Sequence, residues 1–273
     1  MSEPRKPGAS KGMVLLIASA GAFLYPLDNS MLYVAVPEIA TVMAIDPGLV
    51  TWVPTASLVA MVALFIPFGR VSDVWGRKRL YVLGMVVSMV SAVLSGLAQD
   101  VYQLIGLRLL QGFGSSLIVA NSWALVAEAF PPGERGKALG IHTFATFLGL
   151  ALGPVIGGVL VTYLGWRSIF FFLAPVYLVP LALTLIKLQG TVPSGRSRGY
   201  DFPGSLSFIA GFVMVLVSLT LGRTLGWGSP QAIGLFALGG GLLGVFVYIE
   251  TRVAREPMMD LRVFTRHRQF TYG

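Results

Sequence analysis

Gly69-Arg70-Val71-Ser72-Asp73-Val74-Trp75-Gly76-Arg77-Lys78-Arg79 is a charged stretch set between two apolar runs, 49–69 and 79–98. Each run has the roughly 20 residues that a helix needs to cross the hydrocarbon layer of a membrane. The stretch between them holds four bases and a single acid. Gly76 permits a sharp turn. Arg77, Lys78 and Arg79 anchor the turn on the cytoplasmic side, where Lys and Arg accumulate. Asp73 is the odd member, since an acid among bases suggests a specific salt bridge.

The same alternation continues in both directions. Apolar spans are expected near 13–36, 49–69, 79–98, 103–127, 138–161, 166–187, 203–222 and 230–250. Each must be helical, because in lipid only a helix satisfies its own backbone hydrogen bonds, and the alternating pattern of a β-barrel is absent. Composition agrees: 55% of the 273 residues are hydrophobic and 12% charged, where soluble domains carry about 25% charged residues. The chain has no Cys, which excludes disulfides and Cys-ligated metals. His142 and His267 are too few and too far apart to suggest a metal site. The first apolar run is longer than the core of a signal peptide and no small-residue cleavage site follows, so it reads as a retained span.

Orientation follows from the bases. With the N-terminus cytoplasmic, all of the 20 Lys and Arg residues except Arg108, Arg167 and Arg223 fall on the cytoplasmic side. The net charge of +8 is therefore a topology signal. Bases scattered over several loops do not make a nucleic-acid surface. The expected organisation is a six-helix bundle over 1–188, a polar cytoplasmic linker over 189–202, two further transmembrane helices over 203–250 and a basic cytoplasmic tail over 251–273.

Some residues do not suit lipid. Asp28 lies in the first span and Arg108 in the fourth, where ionisable groups cost several kcal/mol unless they line a cavity or find a partner. Counting at 1.5 Å per residue puts Asp28 about 12 Å and Arg108 about 8 Å from the outer ends of their helices, at similar depth. One reading is a protonatable carboxylate beside a fixed positive charge, lining a shared cavity. The other is a buried structural pair with Arg108 reaching to the interface. Gln111 shares the helix face of Arg108. In the fifth span Ala145, Gly149, Gly153 and Gly157 recur every fourth residue, forming a smooth stripe for close helix approach. Pro154 should kink that helix. Tyr25, Tyr33, Met61 and Phe65 are candidates for a permissive cavity, although packing is the commoner role of such residues.

Together these segments resemble the major facilitator superfamily. The loop matches its signature through Gly69, Asp73, Gly76, Arg77 and Lys78. Arg108, Gln111, Gly112 and Gly114 resemble the pattern of its fourth helix. Gly149, Gly153, Pro154, Gly157 and Gly158 resemble its antiporter signature. Leu27-Asp28 with Val34-Ala35-Val36-Pro37 looks like the first helix of the fourteen-helix drug:proton antiporter branch. Asp201 to Trp227 is similar to that branch's two extra central helices, and Pro257-Met258-Met259-Asp260-Leu261 resembles its entry into a C-terminal bundle. The chain departs from the family at Gly165-Trp166-Arg167-Ser168 and Ala174-Pro175, where a second Trp and an Asn are usual.

The resemblance implies an all-α, multi-pass protein of the plasma (inner) membrane, with a six-helix N-terminal bundle, two further helices and the C-terminal bundle absent. It implies proton-coupled efflux of hydrophobic or cationic drug-like molecules by alternating access. Asp28 would be a protonation or substrate site, tuned by Arg108 with Gln111 nearby. Asp73 and Arg77 would belong to a cytoplasmic gate, which Glu128 and Arg135 could join. The expected partners are the lipid bilayer, a small-molecule substrate and protons, with no nucleic acid. A proton gradient supplies the energy and no cofactor is expected. A half-size transporter completed by a second copy, and a non-transporting regulatory subunit, are the alternatives. An enzyme is not expected, since no nucleophile–base set or phosphate-binding loop appears.

Overall fold

The computed structural model describes residues 10–188 and 201–254. Among the described residues eight helical segments are long and apolar enough to cross a membrane. The described residues fall into two compact units, one within 1–193 and the other within 194–273.

The first unit comprises α1 (Lys11–Met43), the short turn α2 (Pro47–Val50), α3 (Trp52–Trp75), α4 (Arg77–Gly96), α5 (Val101–Ala129), α6 (Pro132–Leu164) and α7 (Arg167–Lys187). Local chemistry sets the ends. Ser10 and Asp100 accept hydrogen bonds from the backbone N–H groups of Met13 and Gln103, capping α1 and α5. Pro132 opens α6, where its missing N–H costs nothing. Gly165 ends α6 with a φ of 79°, in the region that favours glycine.

Several helices outrun the predicted spans. α1 and α6 each have 33 residues, or about 50 Å of helix against about 30 Å of hydrocarbon. Apolarity marks the buried stretch and says nothing about turns projecting beyond it. One correction falls on the charged stretch. α3 continues to Trp75 and α4 starts at Arg77, so the predicted loop over 69–79 shrinks to Gly76, whose φ of 95° and ψ of 125° break the helix. α6 begins six residues before the predicted start, where its exposed first turn carries Glu134, paired with Lys11 of α1 at 3.0 Å.

α1 lies along α6, α3 along α5, and α4 packs against both α5 and α7. Leu24, Leu27 and Met31 of α1, Tyr81 and Met85 of α4, Leu104 and Ile118 of α5, and Phe170 and Tyr177 of α7 form the centre of the core. Tyr81 ties α4 to α1 by donating its hydroxyl to the Ile17 carbonyl at 2.7 Å, in space left by Gly21. The outer face of α6 leaves Phe144, Phe147, Val155 and Tyr163 exposed, a surface suited to lipid tails.

The second unit is a helical hairpin of α8 (Phe202–Leu225) and α9 (Pro230–Tyr248), followed by a π-helical turn over Ile249–Val253. Asp201 and Ser229 cap the two helices. Gly211 and Gly239 let the backbones meet: a Cβ on either would stand about 3 Å from the other's carbonyl oxygen. Most of the expected linker and tail lies outside the described residues, as do His267 and the Pro257–Leu261 segment.

Candidate functional site

The centre of the bundle is built by close helix approach. α5 carries Gly112 against α3, and a Cβ there would run into the Ser57 carbonyl and stand 2.7 Å from the Ala60 Cβ. It carries Gly114 against α4, where a Cβ would lie 2.9 Å from the Gly84 carbonyl oxygen. Contacts this close are open only to glycine. They hold α5 in the middle of the unit and bring Arg108, one turn before Gly112, beside α1 and α3.

Arg108 and Asp28 then meet. One guanidinium nitrogen, Nη1, donates to both carboxylate oxygens of Asp28, at 3.0 and 2.9 Å. Nη2 donates to the Ser57 hydroxyl at 3.1 Å. Gln111 donates from Nε2 to Asp28 Oδ2 at 3.2 Å and to the Tyr177 hydroxyl at 3.1 Å. Asn29 adds a longer bond to Ser57, at 3.4 Å. Asp28, Arg108, Gln111, Ser57 and Tyr177 all have zero solvent exposure. The Arg108 guanidinium also lies 6.0 Å from the Phe170 ring centroid, within cation–π range.

The equal depth expected for Asp28 and Arg108 is what the geometry has. Arg108 does not reach to the interface. In this conformation the cluster is closed to solvent and its members bond to one another. Of the suggested cavity residues, Tyr25 is buried beside Ser57 and Asn29, whereas Tyr33 is exposed. A dry pair of this kind is held by mutual attraction, and removing one partner strands the other charge.

The glycine stripe of α6 presses on the same part of α1. A Cβ on Gly149 would strike the Phe23 carbonyl, one on Gly153 would overlap the Ser30 hydroxyl, and one on Gly157 would stand 2.9 Å from the Met31 Cα. Ser30 donates to the carbonyls of Leu27 at 3.2 Å and Gly149 at 3.4 Å, joining the helices at the level of Asp28. Gly158 is different, since a Cβ there meets nothing within 4 Å. α6 continues as one helix through Pro154, which sits on its exposed side.

At the cytoplasmic end expected from the charges, Arg77 is the hub. It pairs with Asp73 at 3.0 Å and Glu128 at 2.8 Å, and donates to the Ala124 carbonyl at 3.1 Å. Lys78 donates to the carbonyls of Leu185, at 3.5 Å, and Leu188, at the end of α7. Glu128 is therefore in the network. Arg135 instead donates to the Phe130 carbonyl at 2.9 Å. Gly69 faces open space.

Ser57, Tyr177 and Asn29 were not singled out in the sequence. Ser57 and Tyr177 have no spacing to mark them, and Asn29 stands between Asp28 and Ser30, where the charge of Asp28 draws the attention. The available signal was their type: a hydroxyl or amide at membrane depth needs a partner.

Residues 18–258 match the Major Facilitator Superfamily. The chain is 31% identical over 265 residues to the riboflavin transporter RibZ of Clostridioides difficile, covering 96% of this chain and 56% of that protein. It is 32% identical over 253 residues to the multidrug resistance protein Stp of Mycobacterium tuberculosis (92% and 47%). It is 31% identical over 274 residues to the multidrug transporter protein MdtP of Bacillus subtilis (98% and 49%). The chain thus spans about half the length of the curated relatives it matches. The crystal structure of the human organic anion transporter MFSD10 shares the fold, with a TM-score of 0.59 over 80% of this chain and 57% of that one at 18% identity. With its apolar helices, central ion pair and glycine-lined helix seam, the chain is a multi-pass membrane protein that belongs to the Major Facilitator Superfamily.

Proposed function

We infer that this chain carries the proton-handling bundle of an alternating-access transporter that exports hydrophobic or cationic small molecules in exchange for protons. The carrying observation is the fully buried pair of Asp28 and Arg108, with Gln111 as a further donor to the carboxylate. A carboxylate in this setting has two ways to be neutralised besides Arg108: a proton or a cationic substrate. Competition between them for one group is the simplest physical basis for antiport. Protonation removes the counter-charge of Arg108 in a low-dielectric interior, and the cost of leaving that charge unpaired favours rearrangement of the helices around it.

The Arg77 network is read as the cytoplasmic lock of one conformation, since a single side chain joins α3, α4 and α5 there. The placing of bases supports a cytoplasmic N-terminus in the plasma (inner) membrane. Multidrug relatives such as Stp and MdtP support a drug-like substrate class. The test is efflux from proteoliposomes containing the full-length protein. An imposed pH gradient should drive export by the wild type, and Asp28→Asn should remove that drive. Equal pH-gradient dependence in the two would refute the reading.

A further inference from the structure

Gln111 makes two donor bonds and no acceptor bond. Its Nε2 serves Asp28 and Tyr177, while its Oε1 is buried without a hydrogen-bond partner. A side-chain amide offers two N–H donors and a carbonyl acceptor. The present orientation uses both donors and leaves the acceptor idle. It suits the cluster only while both neighbours accept. A carboxylate can only accept. A protonated Asp28 gains an O–H donor while its carbonyl oxygen still accepts, and the atom of Gln111 that can take the new donor is Oε1.

A half-turn about the last bond of the Gln111 side chain exchanges Nε2 and Oε1 and leaves the rest of the residue in place. This terminal torsion is broad and roughly two-fold. After the turn Oε1 can accept from Asp28 and from Tyr177 together. Tyr177 can follow because a phenol both donates and accepts. Before the turn its proton is free to point toward Ser88 of α4 or Ser115 of α5, which both stand beside the hydroxyl. After the turn it points to Gln111. The turn also moves Nε2 to the place of Oε1, where no acceptor stands, so the turned arrangement makes fewer bonds and is favoured only when a proton on Asp28 supplies a donor for Oε1.

The geometry points to Gln111 and Tyr177 as a hydrogen-bond switch that reads the protonation state of Asp28 and passes it from α1 to α7 and α4. This rests on the reading that Asp28 takes up the proton. Tyr177 acts through Gln111, so it is a positioning residue. The titratable or charged groups facing the switch are Asp28 and Tyr25 from α1, Arg108 from α5 and Tyr177 from α7. α3 presents Ser57, α4 presents Ser88, and α6 meets α1 through Gly149 and Gly153.

Tyr177→Phe removes an acceptor from the unturned amide and a donor from the turned one. A buried N–H left without a partner is tolerated less well than a carbonyl with a spare lone pair. The variant therefore weakens the carboxylate arrangement more, and protonation of Asp28 should extend to higher pH by about half a unit. The measurement is infrared difference spectroscopy of the full chain in bilayers. The protonated-carboxyl band of Asp28 is identified by its loss in Asp28→Asn. The band should grow on acidification, with its midpoint displaced upward in Tyr177→Phe. In a Gln111→Leu background, or Gln111→Met if the former does not fold, adding Tyr177→Phe should move nothing further. An unchanged midpoint in Tyr177→Phe, or a full displacement persisting without Gln111, overturns the switch. If no Asp28 band appears at any pH where the protein stays folded, protonation of Asp28 itself is refuted and the switch falls with it.

Discussion

Gly112 of α5 rests against the Ser57 carbonyl of α3, and one turn away Arg108 donates to the hydroxyl of the same Ser57. The missing side chain and the buried charge are parts of one arrangement, because the first sets the distance that the second needs.

Gly112→Ala should therefore disturb the ion pair without touching it. The new methyl meets backbone, which cannot swing aside. The expected loss is about 1–3 kcal/mol, as for other overpacked positions. Gly106→Ala, on the same helix but facing open space, should be neutral or slightly stabilising, since alanine is the better helix former. Thermal unfolding in detergent compares the two.

Truncating the pair should be non-additive. Asp28→Ala alone leaves Arg108 buried without its carboxylate and should destabilise by about 3–5 kcal/mol. Adding Arg108→Met removes the stranded charge and should restore much of the loss. If the double variant is as unstable as the sum of the singles, the two groups do not form an energetic pair. The double-mutant cycle is read from denaturation midpoints.

The glycines of the α6 motif should separate into two kinds. Gly153→Ala would overlap the Ser30 hydroxyl and should lower both stability and transport. Gly158→Ala meets nothing and should behave like the wild type. Parallel unfolding and efflux measurements test this, and equal damage from both would contradict the packing of α6 on α1.

Arg77→Ala should affect stability and function unequally. Its partners are partly exposed, with Glu128 half exposed, so the loss of folding stability should be at most about 1 kcal/mol. Transport should fall several-fold, because the α3, α4 and α5 ends lose their shared hub. The lock reading fails if transport in Arg77→Ala stays at the wild-type rate.

Much of this arrangement was legible in the residues. Apolar runs marked the spans, and counting from their ends placed Asp28 and Arg108 at one level. The four-residue spacing of Gly149, Gly153 and Gly157 marked a stripe for close helix approach, and the structure supplies α1 as the helix that meets it. The parts that escaped have physical reasons. Helix ends that project from the membrane carry no apolar mark, so Gly76 alone, and no longer loop, joins α3 to α4. Ser57 and Tyr177 are isolated polar groups whose importance comes from neighbours on other helices. Gly158 follows Gly157 in the chain but points about 100° away from it, and a motif read as a string does not separate the two.

The one-residue join at Gly76 has a mechanical consequence. Arg77 and Asp73 lie on opposite sides of it, four positions apart, yet remain paired. Any tilt of α4 relative to α3 must be taken up by the two dihedral angles of Gly76, with no slack to spread it over a longer segment. The Asp73–Arg77 separation therefore works as a strain gauge for that joint. Motion between the two helices at this joint bears directly on that pair.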